Sequence, residues 1–139
     1  EPLLRACCDY GLGVVEAPEI DRVGLGPALA LAMRRAVSAL AEPPDRLLVD
    51  GRHVPAGLPC PATALIGGDG LSASIAAASV LAKTWRDRGM VALAQLHPGY
   101  GWESNMGYGA PAHRAGLAEH GVTPHHRRCF EPVRKMLRS

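Results

Sequence analysis

Two aspartates carry most of the chemistry in this sequence. Asp50 ends the run Arg46-Leu47-Leu48-Val49-Asp50-Gly51, and Asp69 stands in Gly67-Gly68-Asp69-Gly70 after the run Ala62 to Ile66. Each apolar run reads as a short buried strand ending in a carboxylate, and each Asp precedes a glycine. In open α/β sheets, ligands collect beyond the carboxyl ends of parallel strands. Neighbouring strands lie less than about 5 Å apart, so two such side chains can converge. At that range the carboxylates repel unless a cation or a proton lies between them. Hard oxygen donors of this kind favour Mg²⁺ or Mn²⁺. The competing reading is that each Asp merely caps a strand or helix end, and spacing alone leaves both open.

Other reactive side chains point less sharply. His125, His126 and Cys129 look like zinc ligands, but adjacent histidines and one cysteine lack a fourth partner at normal spacing. The four cysteines, Cys7, Cys8, Cys60 and Cys129, contain no Cys-x-x-Cys and read as reduced thiols of a cytosolic protein. Gly11-Leu12-Gly13 and Gly67-Gly68 begin no full nucleotide-binding pattern. Trp102 reads as a packing residue. Asp87 reads as an ion-pair partner of Arg86, Arg88 or Arg128 rather than as a carboxylate supporting a metal ligand. Lys83 is either a phosphate contact or part of a solvated face.

The elements that must position these groups follow from periodicity. Residues 10–16 read as a strand weakened by its glycines, and Ala17 to Asp21 as a turn into a short helix. Pro27 suits a first helical position, and Leu29, Met33, Ala36, Val37 and Leu40 make a helix of Ala28 to Leu40, stopped by Glu42-Pro43-Pro44. After the two strands, Ser72 or Ser74 can cap a helix over about 73–96. It starts apolar on every side, so its first turns are expected to be buried. A glycine-rich loop from His97 to Pro111 leads to a helix over about 111–119, which Gly121 is placed to end. A last helical turn is expected near Pro132 to Leu137.

Length and composition bound the rest. The 139 residues are 47% hydrophobic and 20% charged, which suits one globular domain. No apolar run approaches the roughly 18 residues of a membrane span, and no leader pattern opens the chain. A first residue of Glu rather than Met hints at a cut N-terminus. The net charge of +2 is uneven: six Lys/Arg face nine Asp/Glu through residue 82, against nine and four after it, with five of the six histidines. An acidic half beside a basic half suits a protein that holds cations in one place and a polyanion in another.

Several ordered motifs resemble the ribonuclease HII (type 2 ribonuclease H) family. They are Glu19-Ile20-Asp21-Arg22, Leu31 to Ala36, Leu48-Val49-Asp50-Gly51, Gly68-Asp69, and Ser74 to Lys83 with Arg86-Asp87. Gly99-Tyr100-Gly101-Trp102, Gly107-Tyr108-Gly109, and His126 to Phe130 with Pro132-Val133 complete the series. The resemblance spans about residues 10–135. It implies an α/β fold, a ribonuclease H-like mixed sheet flanked by helices. It also implies a metal-dependent endonuclease that cuts RNA–DNA hybrids, and duplex DNA containing single ribonucleotides, on the 5′ side of the ribonucleotide.

The family's third and fourth acidic residues match Asp50 and Asp69, which would hold Mg²⁺ or Mn²⁺. Tyr108 matches the tyrosine that packs on the ribose at its 2′-OH. Lys83, Arg127 and Arg128 would contact phosphates, with Arg134, Lys135 and Arg138. The family's first-strand Asp-Glu-x-Gly-Arg-Gly motif has no counterpart here, so the N-terminal strands, roughly the first third, are expected to be absent. Residues 1–139 then form a partial catalytic domain with a basic C-terminal segment over about 111–139. This chain is expected to be inactive or barely active alone, marginally stable, monomeric and cytoplasmic. The alternatives are a non-catalytic nucleic-acid-binding remnant and another ribonuclease H-fold nuclease, such as a resolvase.

Overall fold

The computed structural model describes residues 9–138, so Cys7 and Cys8 lie outside the described residues. The elements run in chain order as helices α1 (Ala17–Val23) and α2 (Leu25–Ser38), strands β1 (Leu47–Asp50) and β2 (Ala62–Leu65), and a 3₁₀ turn at Gly68–Gly70. Helices α3 (Ala73–Leu96), α4 (Trp102–Asn105), α5 (Pro111–His120) and α6 (Glu131–Met136) complete the series. Two compact units emerge. The first holds Leu25–Ala82 and the described part of the segment up to Val15; the second holds Glu16–Gly24 and the chain from Lys83. The boundary in α3 falls where the charge of the sequence changes sign. Among the described residues, no helix is long and apolar enough to cross a membrane.

In the first unit β1 and β2 pair in parallel, with Leu47 opposite Ala62 and Asp50 opposite Leu65. Parallel pairing needs a crossover connection, and the Pro/Gly-rich stretch from Gly51 to Pro61 provides it without a helix. Val49 is buried, whereas Leu48 on the opposite face is 44% exposed.

The expected strand over residues 10–16 does not form. Instead the segment runs along α2, and its glycines set the distance. A Cβ added to Gly13 would lie 1.8 Å from the Ala32 carbonyl oxygen, and one on Gly11 2.1 Å from that of Ala36. Ala32 and Ala36 are four apart, so they share one small-residue face of the helix. The Arg35 guanidinium donates to the Val14 carbonyl (2.6 Å), and the Asp9 carboxylate accepts from the Ala41 N–H (2.6 Å). Glycines placed for close approach to a helix thus mimic the spacing of a weak strand.

Two helix readings also need correction. α2 begins at Leu25, so Pro27 is its third residue; its missing N–H still falls among the donors that a first turn leaves unpaired. The start of α3 is not buried all round. Ile75 is its buried residue, while Val80 is 50% exposed. Alanine side chains at 76–78 are too short to bring further cover.

The second unit has the denser core. Tyr100, Trp102, Leu117 and Val133 are buried together, with Met90, Leu93, Val122 and Phe130 packed on them. Tyr100 and Trp102 stack with centroids 4.9 Å apart, and the Tyr100 hydroxyl donates to the Gly121 carbonyl (3.1 Å). Trp102, expected in a loop, opens the short helix α4 and is a packing residue. Pro111 opens α5, and Gly121, at φ 77°, ends it.

The fit of Gly13 on the α2 backbone is rigid, because the obstructing atoms are main chain. Gly13→Ala should destabilise the chain by about 2–3 kcal/mol, read as a lower denaturant midpoint at unchanged slope. Gly26→Ala, where an added Cβ meets nothing within 4 Å, should not.

Candidate active site

The parallel register brings Asp50 and the chain's exit towards Asp69 to the same end of the sheet. Asp50 is the last residue of β1 and pairs with Leu65, the last of β2. The chain then turns through Gly67, in the left-handed region at φ 64°, into the 3₁₀ turn that carries Asp69. Asp69 therefore sits in this turn, four residues past β2, rather than at the strand end itself. The Gly68 N–H donates to Asp50 Oδ1 at 2.9 Å, and the Gly70 N–H to Asp69 Oδ1 at 3.1 Å. Gly68 is buried, and a Cβ there would lie 2.6 Å from Ile75 Cδ1 and 3.4 Å from Asp50 Oδ1. Both aspartates are exposed.

In the second unit, Lys83, Arg86 and Asp87 on α3 form one cluster with Tyr108. Asp87 accepts from Lys83 Nζ (2.6 Å) and Arg86 Nε (2.7 Å). Those bonds, Lys83's first, hold its carboxyl below the usual range. Arg86 also donates to the Tyr108 hydroxyl (3.2 Å), with its guanidinium carbon 5.4 Å from the ring centroid. That hydrogen bond lowers the Tyr108 pKa and raises that of Arg86. Tyr108 is 64% exposed.

The turn before Tyr108 is tightly specified. Met106 adopts φ 50°, uncommon for a residue with a side chain, and Gly107 comes next at φ 84°. Asn105 clamps the turn: its Nδ2 donates to the Tyr100 carbonyl (2.8 Å) and its Oδ1 accepts from the Gly107 N–H (2.9 Å). Below it lie two buried histidines. The Tyr108 carbonyl accepts from His113 Nδ1 (2.8 Å), and His113 Nε2 meets His126 Nε2 at 3.1 Å. Trp102 Nε1 donates to His113 Nε2 (3.3 Å), and the Thr123 N–H to His126 Nδ1 (3.0 Å).

His126 belongs to the segment that presents Arg127 and Arg128. Asp21 holds this segment from α1, accepting from the N–H groups of Arg128 (2.8 Å) and Cys129 (2.9 Å). Burial pushes the Asp21 carboxyl up, but those two bonds and the Arg128 charge together bring it below its ordinary value. Arg127 stacks on Phe130 at 5.1 Å, and Arg128 is exposed. His125, beside it, is exposed and lies against His97.

Sequence reasoning singles out the aspartates, Lys83, Tyr108 and the arginines, but misses three supports: His113, the His113–His126 pairing, and Asp21. His126 and Asp21 each lie inside one of the family-like motifs. No local signal pairs residues 13 or 107 positions apart.

Among the described residues, no three His, Cys, Asp or Glu side chains are grouped to hold a metal ion. The fit of a hard divalent cation here therefore rests on the carboxylate oxygens of Asp50 and Asp69 alone; Mg²⁺ and Mn²⁺ are commonly held by one or two carboxylates together with substrate phosphate and water.

The family model for ribonuclease HII matches residues 5–133. The chain belongs to the ribonuclease HII family. It is 56% identical over 135 residues to the ribonuclease HII of Ruegeria pomeroyi, covering 97% of this chain and 58% of that protein. Against the ribonuclease HII of Gluconobacter oxydans it is 57% identical over 127 residues, covering 91% and 61%. The chain thus spans about six-tenths of the length of these curated relatives. The crystal structure of the ribonuclease H2 from Pyrococcus horikoshii matches with a TM-score of 0.84 at 25% identity, over 97% of this chain and 71% of that one.

Burial, then the neighbouring His113, pushes His126 down to about 4 from an ordinary histidine value. The unfolded chain therefore binds a proton near pH 6.5 that the folded chain refuses, so stability is full above that pH and declines below it. Between pH 7.5 and 5 this group should cost roughly 1–2 kcal/mol, read from thermal or denaturant unfolding. His126→Gln should flatten that limb of the curve.

Proposed function

We propose that the protein acts as an endonuclease on the RNA strand of RNA–DNA hybrids and on single ribonucleotides embedded in duplex DNA, cutting the phosphodiester on the 5′ side of the ribonucleotide. One observation carries this reading beyond family membership: the parallel β1–β2 pair ends in Asp50, whose carboxylate is bonded to the turn bearing Asp69.

In this mechanism Asp50 and Asp69 would hold divalent metal, Mg²⁺ or Mn²⁺. Such an ion, when bound, activates the attacking water and stabilises the leaving 3′-oxygen. The Gly68 N–H fixes one Asp50 oxygen and leaves the carboxylate's remaining lone pairs for the ion. Tyr108 offers its exposed ring to the ribose, where only the 2′-OH distinguishes RNA from DNA. Lys83, Arg127 and Arg128 contact phosphates without reading sequence. The proposed setting is cytoplasmic, and the proposed state is monomeric.

A second reading is favoured by the absence, among the described residues, of a three-ligand cluster. The 139 residues contain no adjacent Asp-Glu pair, so the sequence supplies only two of the four acidic residues the mechanism calls for. We propose that this chain alone binds a duplex, with strong salt dependence, and cuts it barely or not at all.

Mn²⁺ titration followed by amide line broadening tests the acid pair without needing turnover. Broadening should centre on Gly51 and Gly68 to Gly70 and weaken sharply in Asp50→Asn and Asp69→Asn. Broadening that spares this turn, or survives both substitutions, removes the metal site. Incubation with a duplex holding one ribonucleotide, plus Mg²⁺ or Mn²⁺, should give little product; robust cleavage would show that two carboxylates suffice. Tyr108→Ala should reduce the preference for the ribonucleotide duplex over all-DNA duplex by several-fold.

A further inference from the structure

The buried histidines have only one consistent arrangement of protons. A backbone N–H can only donate, so the Thr123 N–H bond makes His126 Nδ1 an acceptor. A neutral His126 then carries its proton on Nε2, which faces His113 Nε2 at 3.1 Å. That nitrogen also receives the Trp102 indole N–H, so it is the acceptor. The His113 proton must therefore sit on Nδ1, where a carbonyl, which can only accept, awaits it: Tyr108 O at 2.8 Å. The Thr123 hydroxyl, 2.8 Å from His126 Nδ1, can donate or accept and fits this arrangement as a second donor; both rings are buried, at 2% and 6% exposure.

We propose that His113 is a positioning residue for Tyr108, and that His126 and Trp102 act on Tyr108 by fixing the His113 tautomer. This rests on the reading of Tyr108 as the ribose contact. The turn has reason to need such a tie. It carries the left-handed Met106, and its exposed Tyr108 ring is restrained at the tip by Arg86, whose partner Asp87 is shared with Lys83. A long, half-buried arginine side chain is a softer restraint than a main-chain tie. The bond from His113 grips the rigid end of the same residue, its main chain. Ala110 N–H shares that carbonyl at 2.8 Å, which closes the turn around it.

Substitution at His113 separates positioning from packing. In His113→Asn the side-chain amide occupies the place of Nδ1 and can still donate to Tyr108 O, but it loses the acceptor for His126 and Trp102. His113→Leu fills similar space and loses both. Both variants should lose stability, since each leaves buried donors unpaired. Only His113→Leu should mobilise the turn, lowering the backbone order parameter of Tyr108 and Gly109 from about 0.85 towards 0.6. It should also cut the affinity ratio between a duplex with one ribonucleotide and all-DNA duplex by about fivefold, the loss worth one hydrogen bond. His113→Asn should hold both readouts near those of the unaltered chain.

Equal loss in the two variants, or none in His113→Leu, overturns the proposal. In the unaltered chain, nitrogen chemical shifts at pH 7.5 should show a proton on His126 Nε2 and on His113 Nδ1. The opposite tautomer at either ring overturns it even if a variant fails to fold. Should the unaltered chain show no ribose preference, the ribose role of Tyr108 falls, while the order parameters and tautomers still decide the tie itself.

Discussion

The turn that carries Asp69 is tied to the end of β1 by a hydrogen bond from the Gly68 N–H to the Asp50 carboxylate at 2.9 Å. A parallel ladder delivers Asp50 and Leu65 to the same end of the sheet, but it leaves the path of the chain beyond Leu65 undetermined. The chain there is glycine-rich, and a run of Gly67, Gly68 and Gly70 has many conformations to lose. A bond from a main-chain N–H to an ionised carboxylate is about twice as strong as a neutral one. It seats the turn on the end of β1, and the 3₁₀ geometry then sets where Asp69 stands. Glycine at 68 permits this because a side chain there would press on Ile75. The carboxylate thus anchors the turn and, under the proposed reading, also serves as a ligand.

The second unit meets a different constraint. Its core places Trp102, His113 and His126 among buried aromatic side chains, where an unpaired polar atom is costly. The three solve the problem together, each donor facing an acceptor, and none of the buried side-chain polar atoms described lacks a partner. The same burial that demands pairing also lowers the basicity of His126, with His113 next to it. Network satisfaction and the lowered basicity of His126 are therefore two expressions of one geometry.

Legibility in the sequence tracks the range over which each signal acts. Short-range signals are readable. Leu47 to Asp50 and Ala62 to Leu65 announce strands, Pro111 and Gly121 mark the ends of a helix, and the long α3 is placed within its observed bounds. The segment around Gly11 and Gly13 misleads because a glycine spaced for a helix backbone looks the same, in sequence, as a glycine interrupting a strand. The start of α3 misleads because alanine counts as apolar but brings little surface to bury. The residues of the proposed site, Asp50, Asp69 and Tyr108, are named in the sequence by motifs. Their supports are not: Asp21 reaches the Arg127–Arg128 segment across more than a hundred residues, and no periodicity marks such a contact.

The same distances bear on how the basic residues can serve a polyanion. Several cations expected to meet phosphate are already paired: Lys83 with Asp87, and Arg134 and Lys135 with Glu131. These pairs are exposed, and exposed pairs are worth about 0–1 kcal/mol, so exchanging a carboxylate for a phosphate costs little. Arg127 and Arg128 are placed differently. The main chain of their segment is bonded to Asp21, but the Arg128 side chain is exposed and that of Arg127 lies on a ring. Holding the backbone fixes where the two arginines stand, with the Asp21 carboxylate close enough for the Arg128 charge to lower its pKa. The buried His126 adds no charge to this segment above pH 5; lysine and arginine charge is what would give any binding of a polyanion its salt dependence.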